Sequence, residues 1–328
     1  AGGGTRTVLR HARPSLAVTF SPRWSARLDY ELGDVGRGVK NGWLQWRAGA
    51  RTSVRVGSQF APFGLENAMS SDSMPWTERS LASALTAAAL TGASLRTSGE
   101  RWTFSGGLYA NDVADDDRRS YRGRSAIARL TAVPLRRVGH LWHVGLSGEY
   151  RQGESGAELR IRPRPETFTT DRRLIDSRRL AGVDSLATLG IETAYRRGPL
   201  LLQAEYLRSQ VQRAGAAGGP AAFDGGYVSA SWMITGERRS YSESGGAFGG
   251  VKPLRTLGAF ELALRASRLD LDDGSVTGGA ERNLAATLNW YGPRYGRVSL
   301  TWIDATADRA VPLAPSGQYL ALRAELAF

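Results

Sequence analysis

The chain has 328 residues, no cysteine and no run near the ~18 consecutive apolar residues of a membrane helix. That excludes disulfides, thiol chemistry, cysteine-ligated metal and helical membrane spans. The mean hydropathy of −0.31 leaves a membrane barrel open, because only alternate wall residues meet lipid. The net charge of +12 is carried almost wholly by arginine, the only lysines being Lys40 and Lys252; it admits two partner classes, nucleic acid or small anions drawn into a pore.

From the N-terminus onward the pattern has a period of two. Trp24, Ala26, Leu28, Tyr30 and Leu32 alternate with Arg23, Ser25, Arg27, Asp29 and Glu31, which predicts a strand with one apolar and one wettable face. Residues 60–90 break the rhythm, and the pattern predicts a helix near 77–89 with Thr77 as N-cap and Ser80 three positions on. Trp102, Phe104 and Leu108 then alternate with Thr103, Ser105 and Tyr109. After a long loop at 110–122, Trp142, Val144 and Leu146 alternate with His143, Ser147 and Glu149. Residues 152–184 are Arg-rich and read as extended. Arg196-Arg197-Gly198-Pro199 is a tight turn, and 212–225 is a second long loop. Residues 236–256 are Gly-rich, polar and placed where a turn should be short. Phe260, Leu262 and Leu264 alternate with Glu261 and Arg265, and 270–282 reads as a third long loop. Leu284, Ala286, Leu288 and Trp290 alternate with Asn283, Thr287 and Asn289. Past the tight connection Gly292-Pro293-Arg294-Tyr295, Val298, Leu300 and Trp302 alternate with Arg297, Ser299 and Thr301. In the last segment Leu320, Leu322, Ala324, Leu326 and Phe328 share one face, opposite Tyr319, Ala321, Arg323, Glu325 and Ala327.

These features predict an all-β fold, a transmembrane antiparallel β-barrel with Phe328 at the periplasmic rim. Counting back from Phe328 gives about fifteen strands, whereas bacterial barrels favour an even number. Either one strand precedes Thr5 outside this chain or 158–165 is a wall strand; the first is the expectation. The expected organisation is a single barrel over 1–328, of 15–16 strands. Three long segments, about 60–90, 152–184 and 236–256, can fold inward and narrow the lumen, as long segments in compact proteins are usually functional.

The stretch Gln59-Phe60-Ala61-Pro62-Phe63-Gly64-Leu65-Glu66, with Ser70-Ser71 and Glu78-Arg79, resembles the phosphate-selective porin O and P family. So do Ile234-Thr235-Gly236-Glu237-Arg238 with Tyr241 and Phe248, Gly258-Ala259-Phe260-Glu261-Leu262-Ala263, and Leu288-Asn289-Trp290-Tyr291. The motifs are ordered and spread from about Leu9 to Phe328. The resemblance implies a 16-stranded bacterial outer-membrane porin, commonly a homotrimer, with the three long segments turned into the lumen. It also implies an arginine ladder, matched by Leu159-Arg160-Ile161-Arg162-Pro163-Arg164-Pro165-Glu166. In an extended chain Arg160, Arg162 and Arg164 fall on one side, and their planar forks suit oxyanions. Arg79, Ser70, Ser71, Arg10 and Arg13 match the constriction site. The chain departs from the family at Asn67, where a lysine is usual, at Asn41, where an aspartate is usual, and at Arg10-His11, where an arginine pair is usual. Anion selectivity survives these changes better than phosphate specificity does.

The expected function is passive diffusion of small inorganic anions across the outer membrane, with phosphate or polyphosphate as candidate solutes. The alternatives are a porin for another organic or polyanionic solute, or a non-transporting barrel such as an adhesin. Outer-membrane lipid and lipopolysaccharide are the expected surroundings. Nucleic acid is not expected, because the Trp and Leu residues lie opposite the charges rather than between them. Bland readings stand beside the sharp ones. The Arg160/Arg162/Arg164 row also suits a protected edge strand, and Arg79 could pair with Glu78. Arg27, Arg55, Arg151, Arg265, Arg297 and Arg323 suit a wall lattice with Asp29, Glu149, Glu261 and Glu325. Asp115-Asp116-Asp117 lacks the Gly and Glu of a calcium loop. His11, His140 and His143 form no metal site or triad pattern, and no cofactor or catalytic constellation is called for.

Overall fold

A computed structural model of the chain describes residues 4–34, 36–87, 89–112, 119–213, 218–293, 296–308 and 316–327. The strands follow the alternation. In chain order they are β1 (Ser15–Thr19), β2 (Trp24–Glu31), β3 (Gly38–Arg47), β4 (Thr52–Phe60), β5 (Ala89–Ser98), β6 (Trp102–Asp112), β7 (Arg119–Ser120), β8 (Gly123–Arg137), β9 (His140–Gly153), β10 (Arg160–Ile161), β11 (Val183–Arg197), β12 (Leu200–Arg213), β13 (Ala221–Met233), β14 (Tyr241–Ser242), β15 (Ala247–Phe248), β16 (Ala259–Asp273), β17 (Val276–Tyr291), β18 (Gly296–Asp308) and β19 (Ser316–Leu326). Fifteen of them form one sheet in which each pairs with its neighbours along the chain, from β1 to β19. The two-residue strands stand apart, β7 pairing with β10 and β14 with β15.

Among the described residues no ladder joins β1 to β19, yet both ends of the sheet reach one inner segment. Arg10, just before β1, bonds to Glu78, and Arg323 on β19 donates to the Thr77 carbonyl at 2.9 Å. The sheet therefore curls round this segment as a barrel wall.

The wall is inside out relative to a soluble sandwich. Leu108 is 71 % exposed and Leu322 74 %, while Asp29, Glu261 and Arg151 are at 1 %, 0 % and 0 %. Apolar side chains outside and charges inside are what a lipid-facing barrel needs. The pattern reverses towards the long-loop end. On β16 the outward series Phe260, Leu262, Leu264 gives way to Arg268 and Asp272, and the inward residues Glu261 and Arg265 give way to Leu269 and Leu271. The outer face is polar there because that part of the wall leaves the lipid. The inner face is apolar there because other parts of the chain pack on it.

Those parts are the three long segments, and their apolar residues form a core within the lumen. Leu81, Leu85, Ile161 and Ile175 cluster with Leu207, Val211, Phe223, Leu269 and Ile303 from the wall. Leu65, Met69 and Met74 cluster with Val133, Leu141 and Phe248. Among the described residues β1–β4 contribute nothing to these clusters. The apolar filling thus leans on β5 and the later strands, Leu90 and Tyr109 included.

Short turns occupy one end. Gly139 (φ 76°) and Gly198 (φ 55°) sit in the left-handed region that closes the β8–β9 and β11–β12 hairpins, a conformation costly to any residue with a Cβ. The segment at 158–165 is not a wall strand, since only Arg160–Ile161 is in strand, paired with β7. The expected loop at 270–282 is a hairpin instead, β16 and β17 continuing to a two-residue turn at Gly274-Ser275. A register shift between Asp270 and Asp272 leaves Leu271, Gly278 and Gly279 out of the ladder. The second loop narrows in the same way, β12 ending at Arg213 and β13 starting at Ala221. The helix expected at 77–89 is absent. α1 is a single turn at Leu65–Ala68, and Leu81–Leu85 is a 3₁₀ turn. The backbone N–H groups of Ser80 and Leu81 are taken by the carboxylates of Glu66 and Glu166, so bonds from elsewhere in the chain fix this segment. Asp115-Asp116-Asp117 and Phe328 lie outside the described residues.

Candidate functional site

Three inner segments are pinned to the wall by buried ion pairs. Arg265, inward on β16, is the principal pin. It donates to Glu66 at 3.0 Å, to Glu166 at 2.6 Å and to the Glu78 carbonyl at 3.2 Å, with its guanidinium 4.5 Å from the Trp76 ring centre. One wall arginine thereby holds the first and second inner segments together. Glu66 also accepts from the backbone and hydroxyl of Ser80, and Glu205 on β12 accepts from the backbone of Leu65 and Glu66. The third segment is held by Arg239, which forks onto Glu261 at 2.9 and 2.7 Å, donates to Tyr291 Oη at 2.7 Å and reaches the Ser73 carbonyl. Arg129 on β8 binds Glu192 and donates to the Gly246 carbonyl at 2.7 Å. Buried pairs of this kind add little net stability, because desolvation offsets their attraction, yet removing one partner strands the other charge and is costly.

The expected constriction residues come together in part. Arg79 donates to the Glu66 and Met69 carbonyls at 3.3 and 3.0 Å, so it closes the turn that carries Ser70 and Ser71. Ser70 is exposed and donates to Ser73 Oγ at 2.9 Å; Ser71 is half-buried. Glu78 takes the fork of Arg10, at 2.6 and 2.9 Å. Arg13 binds Glu31, whose carboxylate also accepts from His11 and from the backbone of Ala12. Asn67 donates to Thr86 Oγ1 at 2.6 Å.

In the second segment burial alternates. Leu159, Ile161, Pro163 and Pro165 are buried, while Arg160, Arg162 and Arg164 are half-exposed on the other side. The ends of this row are tethered. Arg160 binds Asp176, with Nε 3.0 Å from Oδ1, and Arg164 binds Asp171 at 3.0 Å. Arg162 bonds to no carboxylate among the described residues, and its carbonyl accepts from Arg173 at 2.8 Å. Glu166 closes the row in the left-handed region (φ 54°). Phe168 lies under two guanidiniums, Arg10 at 4.0 Å and Arg164 at 4.5 Å, which links the row to the N-terminal segment.

Charge states follow from these contacts. Hydrogen bonds from Arg6 and Arg164 hold the Asp171 carboxyl down at about 2. Burial, with Arg10 alongside, pushes His11 down to about 4, outweighing the pull of Glu31. Burial pushes Asp176 up, but the Arg160 fork prevails and the net shift is downward. Among the described residues no group of three or more His, Asp or Glu is placed to hold a metal.

The expected wall lattice forms at Arg27–Asp29 (2.8 Å), Arg151–Glu149 (3.2 Å) and Arg323–Glu325 (2.9 Å). Arg297 instead donates to Ser299, Asn289 and the Asp72 carbonyl. Sequence reasoning missed Arg239, Arg129 and Glu192. Their only local signal was position: Arg129 and Glu192 lie on the inward register of strong strands, and Arg239 directly follows the Ile234–Arg238 motif.

The model of the family "phosphate-selective porin O and P" matches residues 4–328. Porin O of Pseudomonas aeruginosa is 25 % identical over 92 % of this chain and 76 % of its own length. An uncharacterized protein of Caulobacter vibrioides is 29 % identical over 65 % of this chain, which spans under half (45 %) of that protein. Among solved structures, the outer-membrane channel DcaP of Acinetobacter baumannii superposes with a TM-score of 0.61 at 8 % identity, covering 97 % of this chain and 85 % of that one. The trimer form of OmpT from Vibrio cholerae gives 0.58 at 10 % identity, with 97 % and 91 % covered. An anion-selective porin from Comamonas acidovorans gives 0.55 at 11 % identity, with 97 % and 86 % covered.

Proposed function

The chain belongs to the phosphate-selective porin O and P family of outer-membrane porins, and from that premise we propose how it selects. It is a passive pore whose lumen favours anions over cations. The observation that carries this reading is the row Arg160, Arg162, Arg164 on an inner segment, with Arg162 bonded to no carboxylate among the described residues. Arginine remains charged at every relevant pH, and a row of partly tethered forks attracts anions without trapping them. Arg79, Ser70 and Ser71 line the turn at the constriction, with Arg10 and Arg13 in the N-terminal segment beside it. The wall and inner segments carry no reaction; they set the width and field of a water-filled path. The assembly is a homotrimer in outer-membrane lipid and lipopolysaccharide, a reading supported by the trimeric OmpT that shares this fold. The decisive measurement is the reversal potential of single channels in a potassium chloride gradient. Chloride is expected to be several-fold more permeant than potassium; potassium more permeant than chloride overturns the reading.

A further inference from the structure

We propose that the wall patch spanned by Arg55 and Arg96 binds the carboxylate of a small organic anion, an inference that rests on the pore reading above. The patch lies on the wall strands, apart from the inner segments. Across β3–β6 the inward residues Gln45, Arg55, Ser94 and Gly107 stand directly opposite one another in register. The next inward rung towards the long-loop end is Trp43, Gly57, Gly92 and Tyr109. Arg96 stands opposite Ser53 and Ser105, one inward rung towards the short turns. Arg55 and Arg96 are thus diagonal neighbours, at a spacing of roughly 7–8 Å, and they line one cleft with Ser94, Gln59 and Tyr109.

Two observations point to an absent anion. Neither guanidinium is bonded to a carboxylate among the described residues. Arg55 donates to Gln45 Oε1 at 2.8 Å and stacks 4.0 Å over the Trp43 ring, and Arg96 donates to Ser105 Oγ at 3.1 Å. Arg27, Arg129, Arg151, Arg265 and Arg323 on the same inner wall each have an acid. Two adjacent cations without an acid between them call for a counter-ion, and each fork keeps N–H groups to spare. The second observation is Tyr109. It is only 4 % exposed, and its hydroxyl lies towards Ser94 without a hydrogen bond of good geometry. A buried hydroxyl left in that state costs free energy that a ligand oxygen would recover.

The floor selects the body of the ligand. A Cβ on Gly57 would fall 2.2 Å from the Gly42 carbonyl oxygen, and one on Gly92 2.1 Å from that of Leu108. The approach of neighbouring strands therefore requires both glycines. The floor is therefore bare backbone at Gly57, beside Trp43, and carries the Tyr109 ring at Gly92, where the ring Cδ1 lies 2.7 Å from the place such a Cβ would take. A flat organic body can lie along it with its carboxylate in the two forks. A tetrahedral inorganic ion would use the forks and leave the floor idle.

The test uses the full chain in planar bilayers, with chloride current titrated by benzoate and separately by inorganic phosphate. Benzoate should reduce the current at lower concentration than phosphate. Arg96→Gln should raise the half-blocking benzoate concentration roughly tenfold, the loss of one charge-assisted contact, and Tyr109→Phe should raise it by a smaller factor. Arg96→Lys guards against misassembly, since it keeps the charge without the fork and should still weaken the block. Phosphate blocking as well as benzoate, or native block in Arg96→Gln or Arg96→Lys, overturns the assignment. An anion-selective pore that benzoate does not block overturns this site alone, whereas a cation-selective native pore overturns the pore reading itself.

Discussion

A lumen arginine acts according to what it is already bonded to. Arg10, Arg13 and Arg265 each hold a carboxylate, so most of their charge is spent within the protein. His11 lies in the same network with its value lowered to about 4 by burial beside Arg10. The unfolded chain then binds a proton between about pH 6.5 and 4 that the folded chain does not. Stability from this group is therefore lost as the pH falls through that window, and the folded pore has a neutral His11 above it. Asp171, held down at about 2, stays ionised throughout. His11→Gln should accordingly leave the chloride-to-potassium permeability ratio unchanged at pH 7 and at pH 5.5. A native titration step near pH 6.5 that vanishes in the variant would show His11 to be charged. Pairing was legible in the sequence only where it is local. Arg27 and Asp29, Arg151 and Glu149, and Arg323 and Glu325 lie two residues apart on one strand, which the alternation puts on one face. The acids of Arg265 lie 199 and 99 residues away, and Glu261 goes to Arg239 from the third inner segment. No local pattern carries such partners.

At the scale of elements, the strands were legible because lipid outside and water inside impose a period of two on each wall segment. The inner segments were not, because bonds from distant residues decide their shape. The 81–85 region is Ala-rich and helix-prone by propensity, yet the Glu66 and Glu166 carboxylates fix its entry as a short turn. The Arg160–Arg164 row is the inner element whose form the sequence did indicate, since alternating Leu, Ile and Pro set its buried side. Replacing Arg160, Arg162 and Arg164 together by Ala should lower chloride conductance most in dilute salt. The Debye length is ~30 Å at 0.01 M and ~10 Å at 0.1 M, so a field spread over the row is felt across the lumen only in the first case. Equal conductance in native and variant at both salt levels would return the row to a merely structural role.

Over the whole molecule, the reversal of polarity along the wall marks where lipid ends. Leu288, with Leu262 and Leu300 directly opposite, lies inside the apolar band, and Thr306 lies above it on the same outward face. Leu288→Arg should destabilise the barrel by about 2–4 kcal/mol, the cost of a cation at mid-membrane, whereas Thr306→Arg should cost about 0–1 kcal/mol. Urea unfolding in lipid vesicles would read the difference, and equal losses would misplace the band. The pins of the first inner segment carry a consequence for assembly. Pro75 is bonded by Asn289, Asp72 by Arg297 and Thr77 by Arg323, partners that enter the chain more than 200 residues later. Contacts so distant along the chain form late, because a long loop must close before they bring any gain. The strands that complete the wall thus also bring the last bonds to the first inner segment, which Arg265 of β16 and Glu205 of β12 already hold. A chain halted before β17 would lack at once the closing strands and the three bonds they bring to that segment.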